Sequence, residues 1–140
     1  MKSFAATTLF ATVVVLPIQA QGSPRVHAED LVAKAADFLG ASGLDRLVHE
    51  INHAGGRFAA KDASMPPLIV YDLKGKILAY GGDARHIGMN HSKAIANLLE
   101  HAKSSKRGWF EPSAEAGGMK VAIYFVKVGE VLITTSTHQH

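Results

Sequence analysis

The sequence predicts a small α+β domain with one antiparallel sheet, and three features carry that prediction. The first is the stretch from Leu68 to Gly82, where the apolar runs LIVY and ILAY flank Asp72-Leu73-Lys74-Gly75. Asp at the first corner of a type I turn caps its own backbone, and Gly at the fourth accepts a positive φ. The two runs therefore read as the strands of a β-hairpin. Pro66-Pro67 stops any helix ahead of it, and Gly81-Gly82 ends it. The second feature is helical periodicity on both sides of this hairpin, and the third is another strand pair near the C-terminus. Helices flanking a hairpin, with more strands after them, make one sheet covered by helices.

The chain opens with a leader. Lys2 is the only charge before Arg25, Phe4 to Leu16 is apolar and Thr-rich, Pro17 breaks the run, and Ala20 offers a small residue for cleavage. These are the marks of a secretory signal peptide over residues 1–20. A membrane span needs roughly 20 apolar residues, and this core is shorter. Residues 21–25 read as a polar linker, 26–137 as one domain and 138–140 as an exposed tail.

From His27, Leu31, Ala35, Phe38 and Leu39 recur at helical spacing until Gly40 and Gly43. A second helix, Leu44 to His53, carries Leu44, Leu47, Val48 and Ile51 on one face and stops at Gly55-Gly56. After the hairpin, residues 83–90 read as a loop. Asn90 or Ser92 can cap a third helix whose stripe is Ile95, Leu98, Leu99 and Ala102. Residues 108–111 read as a short strand. Residues 120–128 and 131–137 form the last hairpin, with Gly129 at the first corner of a type II′ turn.

Composition narrows the function. The 140 residues carry a formal charge of +3, which falls by one when Lys2 leaves with the leader. Basic residues are scattered apart from Lys103, Lys106 and Arg107, so the clustered footprint of a nucleic-acid binder is missing. There is no Cys, which excludes thiolate catalysis and disulfide staples. About 120 mature residues suffice for a core without them.

The loudest motif is His49-Glu50-Ile51-Asn52-His53, which fits H-E-x-x-H. On a helix the two histidines share a face and can bind zinc, with Glu as general base. Helical phase argues against a hydrolase. With the apolar stripe of this helix near 0°, His49 and His53 lie at about 140° and about 180°. They point away from the core, and Ala59 stands where the longer metalloprotease pattern needs a third ligand. A solvated polar face is the plainer reading of His49, Glu50 and His53. The expectation is no resident metal and no cofactor.

A quieter set is Tyr80, Arg85, Trp109, Lys120 and Tyr124. Lys120 and Tyr124 have the same parity on one strand and so face the same way. With Trp109 on that side they make an aromatic box with a cation, suited to a small anion with an apolar tail, such as a short carboxylate. The alternative is that Trp109 and Tyr124 are core and Lys120 lies along it.

The order of segments resembles the single Cache domain, the extracytoplasmic ligand-sensing module of bacterial receptors. The resemblance rests on LDRLVHEIN followed by GGRF, the hairpin IVYDLKGKILAY, the loop HIGMN, and GWFE followed by KVAIYFVKV. It spans Val26 to Thr137. It implies a PAS-like five-stranded antiparallel sheet with N-terminal helices and one helix after the central hairpin. It also implies a bound small organic acid. Trp109 matches the family's GW aromatic, and Lys120 and Tyr124 match its Lys-led strand. Tyr80 stands where members often have His, and ITTSTHQH lacks the usual Gly-rich ending. The function expected is an exported, periplasmic or secreted small-molecule-binding module without catalysis, read by a membrane receptor or transporter. The alternatives are the zinc hydrolase and an interaction protein with a vestigial pocket, dimerising through its sheet or N-terminal helix.

Overall fold

A computed structural model describes residues 24–60, 66–112 and 120–139. The expected signal peptide and most of the linker lie outside these residues. No helix among the described residues is long and apolar enough to cross a membrane.

Helix α1, Pro24–Ser42, begins on a proline, which suits a first turn whose N–H groups have no helical partner. Its deepest line is Ala28, Val32 and Ala35. Of the expected stripe Leu31, Ala35, Phe38 and Leu39, Ala35 lies on this line and the other three are only partly buried beside it. Small side chains on the central line let the helix axis approach the sheet closely, which the larger ones then flank. Helix α2, Leu44–Asn52, buries Leu47 and Ile51 as expected.

Strands β1, Ile69–Asp72, and β2, Ile77–Tyr80, form the predicted hairpin. Asp72 Oδ1 accepts from the amides of Lys74 and Lys76, both at 2.9 Å. After β2 come a short 3-10 turn, Ala84–His86, and helix α3, Ala96–His101. The third helix starts later than predicted. Asn90 uses its Oδ1 to accept from Ser92 N–H at 2.9 Å, so residues 92–95 form turns instead of a first helical turn. Of the expected stripe, Ile95, Leu98 and Ala102 are nonetheless buried and Leu99 is partly so.

Strands β3, Arg107–Phe110, β4, Lys120–Val128, and β5, Val131–Gln139, complete a five-stranded sheet in the order β2-β1-β5-β4-β3. All pairs are antiparallel. Gly129 has φ +59°, which both primed hairpin turns require of their first corner. The ladder runs from Val128↔Val131 to Lys120↔Gln139, so strand pairing reaches past Thr137 into the segment read as a tail.

The sheet separates two cores. On one face, α1 and α2 cover Val70, Ala79, Val126, Val131 and Ile133. On the other, Ile95, Leu98 and Ala102 cover Tyr71, Ile77, Phe125 and Leu132. The hydroxyls of β5 tie it to the β1 side: Thr134 Oγ1 donates to Ile69 C=O at 2.9 Å, and Thr135 Oγ1 to Pro67 C=O at 3.1 Å. Residues 88–91 run along the outer side of β2. Ile77 N–H donates to Met89 C=O at 2.9 Å, and His91 N–H to Gly75 C=O at 2.8 Å. That covers a strand edge otherwise open to solvent, and it brings the loop after β2 over the second face.

Candidate functional site

The second face collects polar groups within an apolar layer. Ile69 pairs with Tyr80 and Tyr71 with Ile77, a one-residue register shift lying between Val70 and Tyr71. Because paired residues share a face and Ile69 and Tyr71 have the same parity, both tyrosines stand on this side. Burial, with Tyr80 nearby, pushes the Tyr71 phenol up to about 12. It is thus a protonated donor throughout the neutral range.

The 3-10 turn brings a histidine onto this pair. Asp83 caps the turn, its Oδ1 accepting from Arg85 N–H at 2.9 Å. That leaves His86 stacked on Tyr80, with centroids 4.7 Å apart and planes 19° apart. His91 meets His86 edge-on at 6.0 Å. His86 Nε2 lies 3.6 Å from Asp83 Oδ2, and its Nδ1 is buried with no hydrogen-bond partner among the described residues. A buried polar atom without a partner is rare enough in folded proteins to need a reason. Further along the same face His101 packs on Phe110 and Phe125, at 5.8 and 5.6 Å.

Arg85 turns outward and forks onto Asp83, with Nη2 to Oδ2 at 2.8 Å and Nε to Oδ1 at 3.0 Å. Those side-chain hydrogen bonds, with the Arg85 amide, hold the Asp83 carboxyl down to about 2.

The expected set of five is divided by the sheet, with Tyr80 on the second face and the box residues Trp109 and Tyr124 together on the other. Trp109 and Tyr124 are brought together, as cross-strand partners with ring centroids 5.2 Å apart. Tyr124 packs into the core under α1, on the face opposite Tyr80. The helix also supplies the indole's polar partners. Trp109 Nε1 donates to Glu29 at 2.6 Å, and the Arg25 guanidinium sits 4.5 Å from the ring centroid. Arg25 in turn pairs with Glu111 at 3.2 Å. The cation beside Trp109 is thus one of the chain's own helix residues. Lys120 opens β4 opposite Gln139, and its side chain lies outside the described residues. Sequence reasoning picked out Tyr80 and missed Tyr71, His86 and His91. The histidines show no ligand spacing because stacking through a 3-10 turn brings them together, not a helical or strand repeat.

The H-E-x-x-H residues have a structural occupation. Glu50 Oε1 accepts from Arg57 N–H at 2.7 Å and its carbonyl accepts from Phe58 N–H at 3.1 Å, which fastens the chain leaving α2. The first of these bonds lowers the Glu50 carboxyl below its ordinary range. His49 and His53 stack on each other at 4.8 Å on the exposed side of α2. No group of three or more His, Cys, Asp or Glu among the described residues could hold a metal ion. A separate groove of about 790 Å³ lies on the helix side, bounded by α1 and residues 57–60 and 66–68.

Two helices on one face, a loop and short helix on the other, and strand order β2-β1-β5-β4-β3 together make the PAS-like fold of single Cache domains. Solved structures share it. A periplasmic sensor domain of a chemotaxis protein matches with TM-score 0.54 and 11% identity, covering 99% of this chain and 100% of that one. A Cache chemosensory domain described for carboxylic acid recognition matches with TM-score 0.55 and 10% identity, over 99% of this chain and 100% of that one. No protein-family model matches the chain, and no curated protein does.

Proposed function

We propose that this protein is an exported, sensor-type domain that binds a small organic acid between the second face of the sheet and the loop after β2, without catalysing a reaction on it. The observation that carries the reading is the buried Nδ1 of His86, which has no partner among the described residues. It stands beside Tyr80 on the face that also holds the Tyr71 phenol.

The chemistry suits a carboxylate. Tyr71 and Tyr80 offer O–H donors, and the His86 ring presents Nδ1, which donates an N–H when that nitrogen carries the ring proton. Hydrogen bonds to an ionised acceptor are the stronger kind and are favoured where little water competes. Ile69, Leu99 and Phe110, partly buried against the same core, would take the apolar part of the acid. Arg85 stands on the same loop as a rim cation, held by Asp83 until a ligand competes for it. The fold shared with a Cache domain described for carboxylic acid recognition supports the same ligand class. Export would follow from residues 1–20, and a membrane receptor or transporter would read the bound state.

A thermal-shift screen of the purified protein against short organic acids, amino acids and divalent metals tests this. A ligand at 100 times its dissociation constant adds about 2.7 kcal/mol, a shift of several degrees. Stabilisation by one class of acid supports the reading. Silence with every acid, or stabilisation by metals alone, overturns it.

A further inference from the structure

We propose that the groove on the helix side is a second binding site, for an amphipathic carboxylate whose apolar part lies on Phe38 and Phe58 and whose carboxylate meets Arg46 and Arg57. The groove is separate from the seat around His86, since Phe38 and Phe58 belong to the core on the opposite face of the sheet. Its volume of about 790 Å³ falls in the range of small-molecule sites, about 300–1,000 Å³.

The floor is built and the rim is charged. Phe38 and Phe58 meet edge to face at 5.6 Å, with Leu68 also lining the groove. Phe58 is held there from behind, because its own amide donates to Glu50 C=O at 3.1 Å. The Arg57 guanidinium lies 5.0 Å from the Phe38 ring centroid, a cation directly above the apolar floor. Arg46 lines the same groove. The third cation of the lining, Lys34, is already paired with Asp30 at 2.9 Å.

Neither guanidinium forms an ion pair with a carboxylate among the described residues. Glu50 is near enough to feel both charges, but its Oε1 is taken by the Arg57 backbone N–H at 2.7 Å. Among the described residues one acidic residue, Asp37, lines the groove against three cations, so this lining favours an anion. An aromatic floor with two uncommitted guanidinium forks matches a molecule that is apolar at one end and carboxylate at the other.

Titration of the ¹⁵N-labelled protein with sodium octanoate, and separately with neutral 1-octanol, tests the assignment. The expected result is saturable shifting of the Phe38, Arg57 and Phe58 amides by octanoate, with octanol weaker by about tenfold or more, the size of one lost charge-assisted hydrogen bond. The double substitution Arg46→Gln/Arg57→Gln, both at exposed positions, should weaken octanoate by a similar factor and leave octanol unchanged. Tyr80→Phe should change neither, which keeps this site distinguishable from the acid seat on the other face. No saturable shift at these amides, equal binding of octanoate and octanol, or full octanoate affinity in the double variant would each overturn the proposal.

Discussion

Two glycines with nearly the same φ differ in what surrounds them, and that difference measures how the loop after β2 is anchored. Gly75 has φ +87° and Gly88 has φ +89°. An alanine at either position suffers the same left-handed strain, about 1–2 kcal/mol. At Gly88 the added methyl meets nothing within 4 Å, whereas at Gly75 it would stand 2.5 Å from Ser92 Cα and 2.7 Å from Ser92 N. Those are backbone atoms of the segment that carries His91, and they cannot turn aside as a side chain would. Overpacking of this kind costs about 1–3 kcal/mol more. At about 3–6 °C per kcal/mol for a domain of this size, Gly75→Ala should melt roughly 3–18 °C below Gly88→Ala. Differential scanning calorimetry of the two variants and the wild type gives the comparison directly. Equal melting temperatures would show that residues 90–92 do not rest on the hairpin turn. The placement of His91, and of the loop over Tyr80, would then be wrong.

Two further outcomes follow from the same contacts. Asp83 has its carboxyl depressed to about 2 by Arg85, so its contribution to stability is present above the unfolded value near 4 and is lost as pH falls toward 2. Asp83→Asn should remove that part of the acid-denaturation slope and leave stability above pH 5 nearly flat, as acid titration followed by circular dichroism would read. Trp109→Phe gives up the hydrogen bond to Glu29 at a partly exposed site, and should cost about 1 kcal/mol. Adding Glu29→Gln to Trp109→Phe should then cost little more, whereas independent losses would mean that the indole is not what holds α1 to β3.

Much of this fold was legible because local chemistry dictated it. Asp72 and Gly75 announced the first hairpin, and the Asp72 carboxylate does close that turn. Gly129 announced the second. The stripes Leu47–Ile51 and Ile95–Leu98–Ala102 were readable from spacing because each helix buries a single face. Other features were not readable. Of the central line of α1 only Ala35 was read; Ala28 and Val32 were not, since close approach to a sheet selects small residues where hydrophobicity alone points to Leu and Phe. The placement of Tyr80 and Trp109 on opposite faces depends on strand order and on the register shift in β1–β2, which no local pattern encodes. The Tyr80–His86–His91 stack depends on a three-residue 3-10 turn capped by Asp83. Its members therefore look unrelated in the sequence. Thr134 and Thr135 show the same limit. They read as a departure from the family's ending, yet they bond the backbone at Ile69 and Pro67.

The most direct test of the central claim is an NMR titration with a panel of short organic acids, following the backbone amides of both faces. The account predicts saturable shifts at Tyr71, Tyr80, His86 and His91, abolished by His86→Ala and retained in Trp109→Phe. Shifts confined to the α1 side of the sheet, or none that saturate, would contradict it.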